Sequence, residues 1–178
     1  DMEEETRFMS TGNEIDYYVL VGEESGDVLP LMRELTGHSP MPALWNFGLY
    51  QSKERYTSAN ETMQVVKEYR KRGVPLDCIV QDWQYWGKYG WNAMRFDEEH
   101  YPDPAQMVKD LHDMDMKLMI SVWSKIDPSS EVGKAAQEKG LFIPGTTWID
   151  FFDEDASSFY WNNFRNRLLK PYNIDAWW

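Results

Sequence analysis

An acid followed at once by flat rings is the part of this sequence best equipped for chemistry. In the stretch 76–87, LDCIVQDWQYWG, an apolar run ends in Asp82, and Trp83, Tyr85 and Trp86 come directly after it. A buried strand that delivers a carboxylate and aromatic side chains at its C-terminal end makes a floor for a sugar. The carboxylate grips hydroxyls, and the rings cover the apolar face of a pyranose. Tyr50, Gln51, Trp123 and Lys125 occupy the matching ends of two neighbouring predicted strands. Each candidate also has a plainer reading. Asp82 can cap the loop that follows it, Trp123 can be an ordinary core ring, and Lys125 can be a solvated charge. Hydrolysis of a glycosidic bond usually takes two carboxylates, about 5 to 5.5 Å apart when configuration is retained. Only Asp82 is well placed for such work. Asp175 falls inside a predicted strand and does not read as catalytic.

Other chemistries find little support. His112, Asp113 and Asp115 stand at the end of one predicted helix, with a spacing that does not converge on a metal ion, and read as solvated surface. Asp153, Glu154 and Asp155 read as acidic charge at a helix N-terminus. The three histidines show no pairing pattern, so neither a metal nor a cofactor is expected. There is no G-x-S-x-G elbow and no glycine-rich turn after a strand to cradle a phosphate. A net charge of −12 argues against a nucleic-acid backbone or an anionic membrane as partner and suits a neutral or cationic ligand. No window reaches the ~18 apolar residues of a membrane span. The start, DMEEET, is too acidic and polar for a signal peptide. The lone Cys78 allows no internal disulfide and reads as a small buried hydrophobe, so it leaves the compartment open. Asn60-Glu61-Thr62 matches a glycosylation sequon at a helix start, where chance matches are common. Nine Trp and ten Tyr exceed what a core alone needs, and the excess fits stacking surfaces for carbohydrate.

The elements that must carry these residues alternate. Residues 1–42 look different from the rest: a strand at 15–21 (IDYYVLV), a helix from about Asp27 to Leu35 stopped by Gly37, and a stiff Ser39-Pro40-Met41-Pro42 connector. From Ala43 onward the pattern is strand then helix. Strands are expected at 44–50, 76–82, 117–123 and 173–178. Ser58, with Glu61 completing a capping box, starts the first helix between them. Asp103 caps the second, with Pro104 in its first turn. Asp127-Pro128 opens a third, ending near Lys139, and Asp155 caps the last, from Ala156 to Leu169. Buried apolar strands separated by helices imply a parallel sheet. An open doubly wound sheet and a (β/α)₈ barrel both fit, and the missing phosphate cradle favours the barrel. A barrel takes about 250 residues and eight strands, so the four strands here make half of one.

The sequence resembles the family 31 glycoside hydrolases, the α-glucosidases and α-xylosidases. The resemblance lies in IDYYVLVG, LTGHSPMPALWNFGLYQS, RGVPLDCIVQDWQYWG, RFDEEHYPDPAQMVKDLHDMDMKLMISVW and YNIDAWW, and it covers almost the whole chain in order. The QDWQYWG and SVW variants look most like α-xylosidases acting on xyloglucan fragments. The resemblance implies an α/β chain: the tail of an N-terminal β-sandwich and linker in residues 1–42, then about four βα units of a (β/α)₈ TIM barrel in 43–178. It implies a retaining hydrolase with an aspartate nucleophile and an aspartate acid/base, both beyond Trp178, so the chain alone is expected to be inactive. On the substrate side Asp82 matches the hydroxyl-binding aspartate and Trp123 the tryptophan of the −1 subsite. Trp83 lines the pocket, and Tyr56 matches an aromatic at its mouth. The expected partner is an α-xyloside oligosaccharide, with an α-glucoside as the alternative. A bacterial periplasmic or secreted setting is expected. Two readings of another class remain, a non-catalytic carbohydrate-binding piece and a half-barrel that self-associates through its open strand edges.

Overall fold

The computed structural model describes residues 7–9 and 11–178. The chain divides into two units, Asp1–Pro42 and Ala43–Trp178. In the first unit a short 3₁₀ turn, Ser25–Asp27, leads into helix α1, Val28–Thr36, and Gly37 closes it with φ 80°. The strand expected at 15–21 is not there. Strand backbone needs a neighbour for its N–H and C=O groups, and no strand pairs with this stretch among the described residues. Ile15, Tyr17 and Val19 are 65–74 % exposed accordingly.

The second unit carries a four-stranded parallel sheet in the order β1-β2-β3-β4. The strands are Tyr50–Gln51, Cys78–Gln81, Lys117–Ile120 and Ala176–Trp177. Sequential order means that every crossover moves the chain one place in the same direction. A doubly wound sheet reverses direction partway, so this topology is that of a barrel segment. All four residues of β2 are buried, as the apolar run requires. In β3, Leu118 and Ile120 are buried while Lys117 and Met119 are half-buried, the alternation of a strand with one better-covered face.

Helix α2, Ala59–Lys71, begins where Ser58 Oγ accepts the Glu61 N–H at 3.2 Å. The capping box is displaced by one residue: the Glu61 carboxylate reaches the N–H and hydroxyl of Thr57 at 2.7 and 2.8 Å, not the Ser58 N–H. In α3, Pro104–His112, Asp103 caps Gln106 N–H at 2.9 Å as expected. Several boundaries differ from the sequence reading: β2 and β3 end at Gln81 and Ile120, and three other changes have a local cause. Residues Leu44–Phe47 form a 3₁₀ turn instead of a strand. Among the described residues no strand pairs with them, and the Ala43 and Trp45 carbonyls accept local bonds from Asn46 and Gly48. Helix α4, Glu131–Glu138, starts at Ser130 rather than Asp127, because Asp127 Oδ1 folds onto the Ser129 N–H and hydroxyl in a turn of its own. Helix α5, Glu154–Phe164, is capped by Asp153 rather than Asp155, through Ala156 N–H at 2.9 Å.

A π-turn at Arg165–Leu169 follows α5 and leads into α6, Lys170–Tyr172. The widened turn precedes Pro171, which has no N–H to donate and whose ring crowds the preceding turn. Asn173, left-handed at φ 54°, ends the helical run and delays β4 to Ala176. Val66, Leu76, Ile79, Leu111, Leu118 and Phe164 are among the residues of the core between sheet and helices.

Candidate functional site

The parallel register sets Gln81 opposite Ile120, and Ser121 N–H donates to the Gln81 carbonyl at 3.0 Å. Asp82 and the chain after Ser121 therefore leave the sheet side by side at its C-terminal edge, where barrel enzymes place their chemistry. Asp82 Oδ1 accepts the Trp83 N–H at 2.8 Å. That bond fulfils the capping reading for one oxygen. The other oxygen makes no hydrogen bond among the described residues.

Rings join the two strand ends. The Trp83 and Trp91 centroids are 5.5 Å apart, and those of Trp91 and Trp123 are 5.2 Å apart, near edge-to-face. Trp86 also touches Trp91, at 5.4 Å. Trp91 is thus the hub of the cluster, the ring that packs against both Trp83 and Trp123. Trp123 is 38 % exposed, so it is no ordinary core ring. The Arg55 guanidinium lies 5.6 Å from the Trp83 ring and Lys125 Nζ 6.0 Å from the Trp91 ring, both within cation–π reach. Lys125 therefore leans on the cluster instead of being merely solvated.

Tyr56 is 2 % exposed. It lines a cavity of about 350 Å³ with Arg55, Thr57, Gln84 and Trp86. Its carbonyl accepts from Tyr101 Oη at 2.6 Å and Gln81 Nε2 at 3.3 Å. Gln81 Nε2 also donates to Tyr101 Oη at 3.0 Å, and Thr62 Oγ1 donates to Gln81 Oε1 at 3.1 Å. This buried network ties the loop after β1 to the end of β2 immediately before Asp82. Burial raises the Tyr101 hydroxyl well above its ordinary pKa, so it stays protonated and able to donate. A hollow of about 700 Å³ beside Lys139, Leu141, Asp155 and Phe159 includes no residue from a strand end.

Asp175 belongs to the opposite edge. His112 Nε2 lies 2.8 Å from its Oδ2, which also accepts the Leu118 N–H at 3.0 Å, and Lys117 Nζ lies 3.0 Å from its Oδ1. The pair sits at the N-terminal side of β3, where barrels place stability rather than chemistry. His112 is thus tied into this pair and is not the solvated residue of the sequence reading. Asp97, Glu99 and His100 bring ligand-type atoms within 4.8 Å of one another. The Asp97 carboxylate already accepts the N–H groups of Lys88 and Glu99, which accounts for the cluster as a loop anchor.

Trp91 and Asn92 escaped notice in the sequence as a pair. A signal was present: Gly90 and Asn92, two residue types that tolerate left-handed backbone, flank a tryptophan. Both are left-handed, at φ 92° and 53°.

The family model for the glycosyl hydrolases family 31 TIM-barrel domain matches residues 39–178. An α-xylosidase of Saccharolobus solfataricus is 44 % identical over 171 residues, which is 96 % of this chain and 23 % of that protein. The chain therefore spans about a quarter of the length of that relative. The crystal structure of a family 31 α-xylosidase from Xanthomonas citri superposes with a TM-score of 0.77 at 36 % identity, over 85 % of this chain and 18 % of that one. An α-xylosidase from a soil metagenome, solved with xylose, gives 0.72 at 30 % identity, over 80 % and 23 %. The parallel strand order and the matched residues agree: this chain belongs to glycosyl hydrolase family 31 and carries part of its TIM-barrel domain.

Proposed function

We propose that this chain is the substrate-side half of the catalytic barrel of a retaining α-glycosidase that releases terminal α-linked xylose, preceded in residues 1–42 by the end of a β-sandwich domain and a linker. Asp82 holds sugar hydroxyls, Trp123 and Trp83 cover the apolar face of the ring, and Tyr56 stands at the wall of the adjoining cavity. The observation that carries this reading is the placement of Asp82, Trp83 and Trp123 at the C-terminal ends of two adjacent parallel strands, with one ring, Trp91, bridging them. The α-xylosidase relatives favour xylose over glucose as the sugar. An α-glucosidase of the same family is the alternative, separated by comparing the two methyl glycosides.

The 178 residues alone do not turn over substrate. Asp82 is the carboxylate at a strand C-terminus, whereas Asp175 is engaged at the other edge of the sheet. Titration with methyl α-xyloside, followed by tryptophan fluorescence, is expected to give a weak saturable response that Asp82→Asn and Trp123→Ala abolish. An unchanged response in both variants refutes the substrate-side assignment, and release of aryl from an aryl α-xyloside refutes the inactivity.

A second reading is self-association. Strands β1 and β4 are the sheet edges, and Trp177 in β4 and Trp178 just after it are 50 % and 55 % exposed. Unpaired edges of this kind template pairing with another chain. Sizing at several concentrations tests it, and a monomer throughout counts against it.

A further inference from the structure

We propose that Asn92 and Tyr160 are positioning residues that together fix the backbone from which the Trp123 ring projects against Trp91. The proposal rests on the reading of Trp123 as a sugar-covering ring and names the groups that aim it.

Two side chains from different elements converge on one backbone atom. The Trp123 carbonyl accepts the Asn92 Nδ2 amide and the Tyr160 hydroxyl, the latter at 2.8 Å. A carbonyl oxygen has two lone pairs, and both are taken. Because that oxygen only accepts, the nitrogen of the Asn92 amide must face it, which leaves no ambiguity of amide orientation. Asn92 is fully buried and Tyr160 nearly so, so water does not compete for either bond.

The donors are themselves held. Gly90 lies so close to Asp127 that an added Cβ would sit 2.6 Å from Asp127 Oδ2, and Asp127 N–H donates to the Trp91 carbonyl at 2.9 Å. These contacts fix the turn that places the Trp91 ring and the Asn92 amide as one unit. Tyr160 packs on Phe151 at 5.0 Å between centroids, which holds its hydroxyl in place. On either side of Trp123 the backbone is anchored too: Val122 N–H donates to the Trp178 carbonyl, and the Ser124 carbonyl accepts from Ile149 N–H. With both flanks fixed, the peptide plane after Trp123 retains one freedom, rotation of its carbonyl. The two donors remove it. The half-exposed ring then has a defined backbone to project from and the Trp91 ring to lean on, which is the arrangement a stacking platform requires.

The test uses the 178-residue chain with ¹⁵N-labelled tryptophan. Indole N–H cross-peaks are assigned with Trp91→Phe and Trp123→Phe. In Tyr160→Phe and in Asn92→Gly, which keeps the left-handed backbone free of strain but removes the amide, the Trp123 and Trp91 peaks are expected to move while that of Trp45 stays. The affinity for methyl α-xyloside should weaken in Tyr160→Phe by at most about tenfold, the limit set by losing one hydrogen bond that holds the binding-competent backbone. Peaks of Trp123 at their wild-type positions in both variants, with only stability lowered, overturn the proposal. If Asn92→Gly does not fold, Tyr160→Phe, which removes a single oxygen, decides alone. Should the wild type give no sugar response while the peaks still shift in the variants, the sugar-binding reading fails and the positioning role stands.

Discussion

Gln81 is the residue on which the approach of Asp82 to the rim depends, and replacing it should cost stability in a pH-dependent way. Its side chain is fully buried and makes three hydrogen bonds, to Thr62, Tyr101 and the Tyr56 carbonyl. Each partner keeps another bond when Gln81 is lost: Thr62 Oγ1 also donates to the Ser58 carbonyl at 3.2 Å, and Tyr101 Oη donates to the Tyr56 carbonyl. No polar group is orphaned, so Gln81→Leu loses bonds worth about 1 kcal/mol each, less the gain from burying carbon. A net loss of about 2 kcal/mol is expected. Gln81→Glu has the same shape but a different consequence. One carboxylate oxygen would replace Nε2 and face the Tyr56 carbonyl oxygen, 3.3 Å away. Two acceptors repel, and burial disfavours the charge, so the folded state holds this carboxyl protonated and its pKa rises above the unfolded value of about 4.3. The variant should therefore approach wild-type stability below pH ~4 and lose stability as pH rises toward the folded pKa, by about 1.4 kcal/mol for each unit of rise. Urea unfolding of the three proteins at a series of pH values reads this out. If Gln81→Glu tracks the wild type across neutral pH, or Gln81→Leu costs less than about 0.5 kcal/mol, the network does not hold the end of β2.

Further outcomes concern other sites. Asp175→Asn should lower stability by about 2 kcal/mol, since the carboxylate serves His112, Lys117 and the Leu118 N–H in a half-buried setting, while leaving any sugar response unchanged. Loss of that response at retained fold would move Asp175 to the functional edge. The Glu61 carboxyl is held down to about 2, first by Lys53 and then by the N–H and hydroxyl of Thr57. A lowered folded pKa adds stability above the ordinary value of 4.5 that is lost as pH falls toward about 2. Because Lys53 is largely exposed, the amount is on the order of 1 kcal/mol; in acid titrations the gap between wild type and Glu61→Gln should close over that window. Burial pushes the Cys78 thiol up to about 12, so a disulfide reagent at pH 8 should label the protein no faster than it unfolds, and rapid native labelling would contradict the buried placement of β2.

Local chemistry made much of the molecule legible from the chain alone. The apolar run at β2 with Asp82 and its rings after it, the caps at Ser58 and Asp103, and the alternation of strand with helix all depend on neighbours within a few residues, and all appear where the chain places them. What was not legible depended on groups far apart in sequence. Leu44–Phe47 has a strand-like composition, but a strand exists only where another runs beside it. Asp127 and Asp155 were the expected starts of α4 and α5, yet Ser130 and Asp153 cap them, with Asp127 turned onto Ser129 instead. His112 looked like surface until β4 brought Asp175 to it, 63 residues on. The missing phosphate cradle already favoured a barrel over a doubly wound sheet, but the strand order that decides between them is encoded by no single segment. The ring hub at Trp91 and the convergence of Asn92 and Tyr160 on the Trp123 carbonyl likewise exist only when β2, β3 and α5 meet. Short-range preferences name the pieces and their ends; pairing, burial and convergence belong to the assembled chain, because those energies arise between residues that only folding makes neighbours.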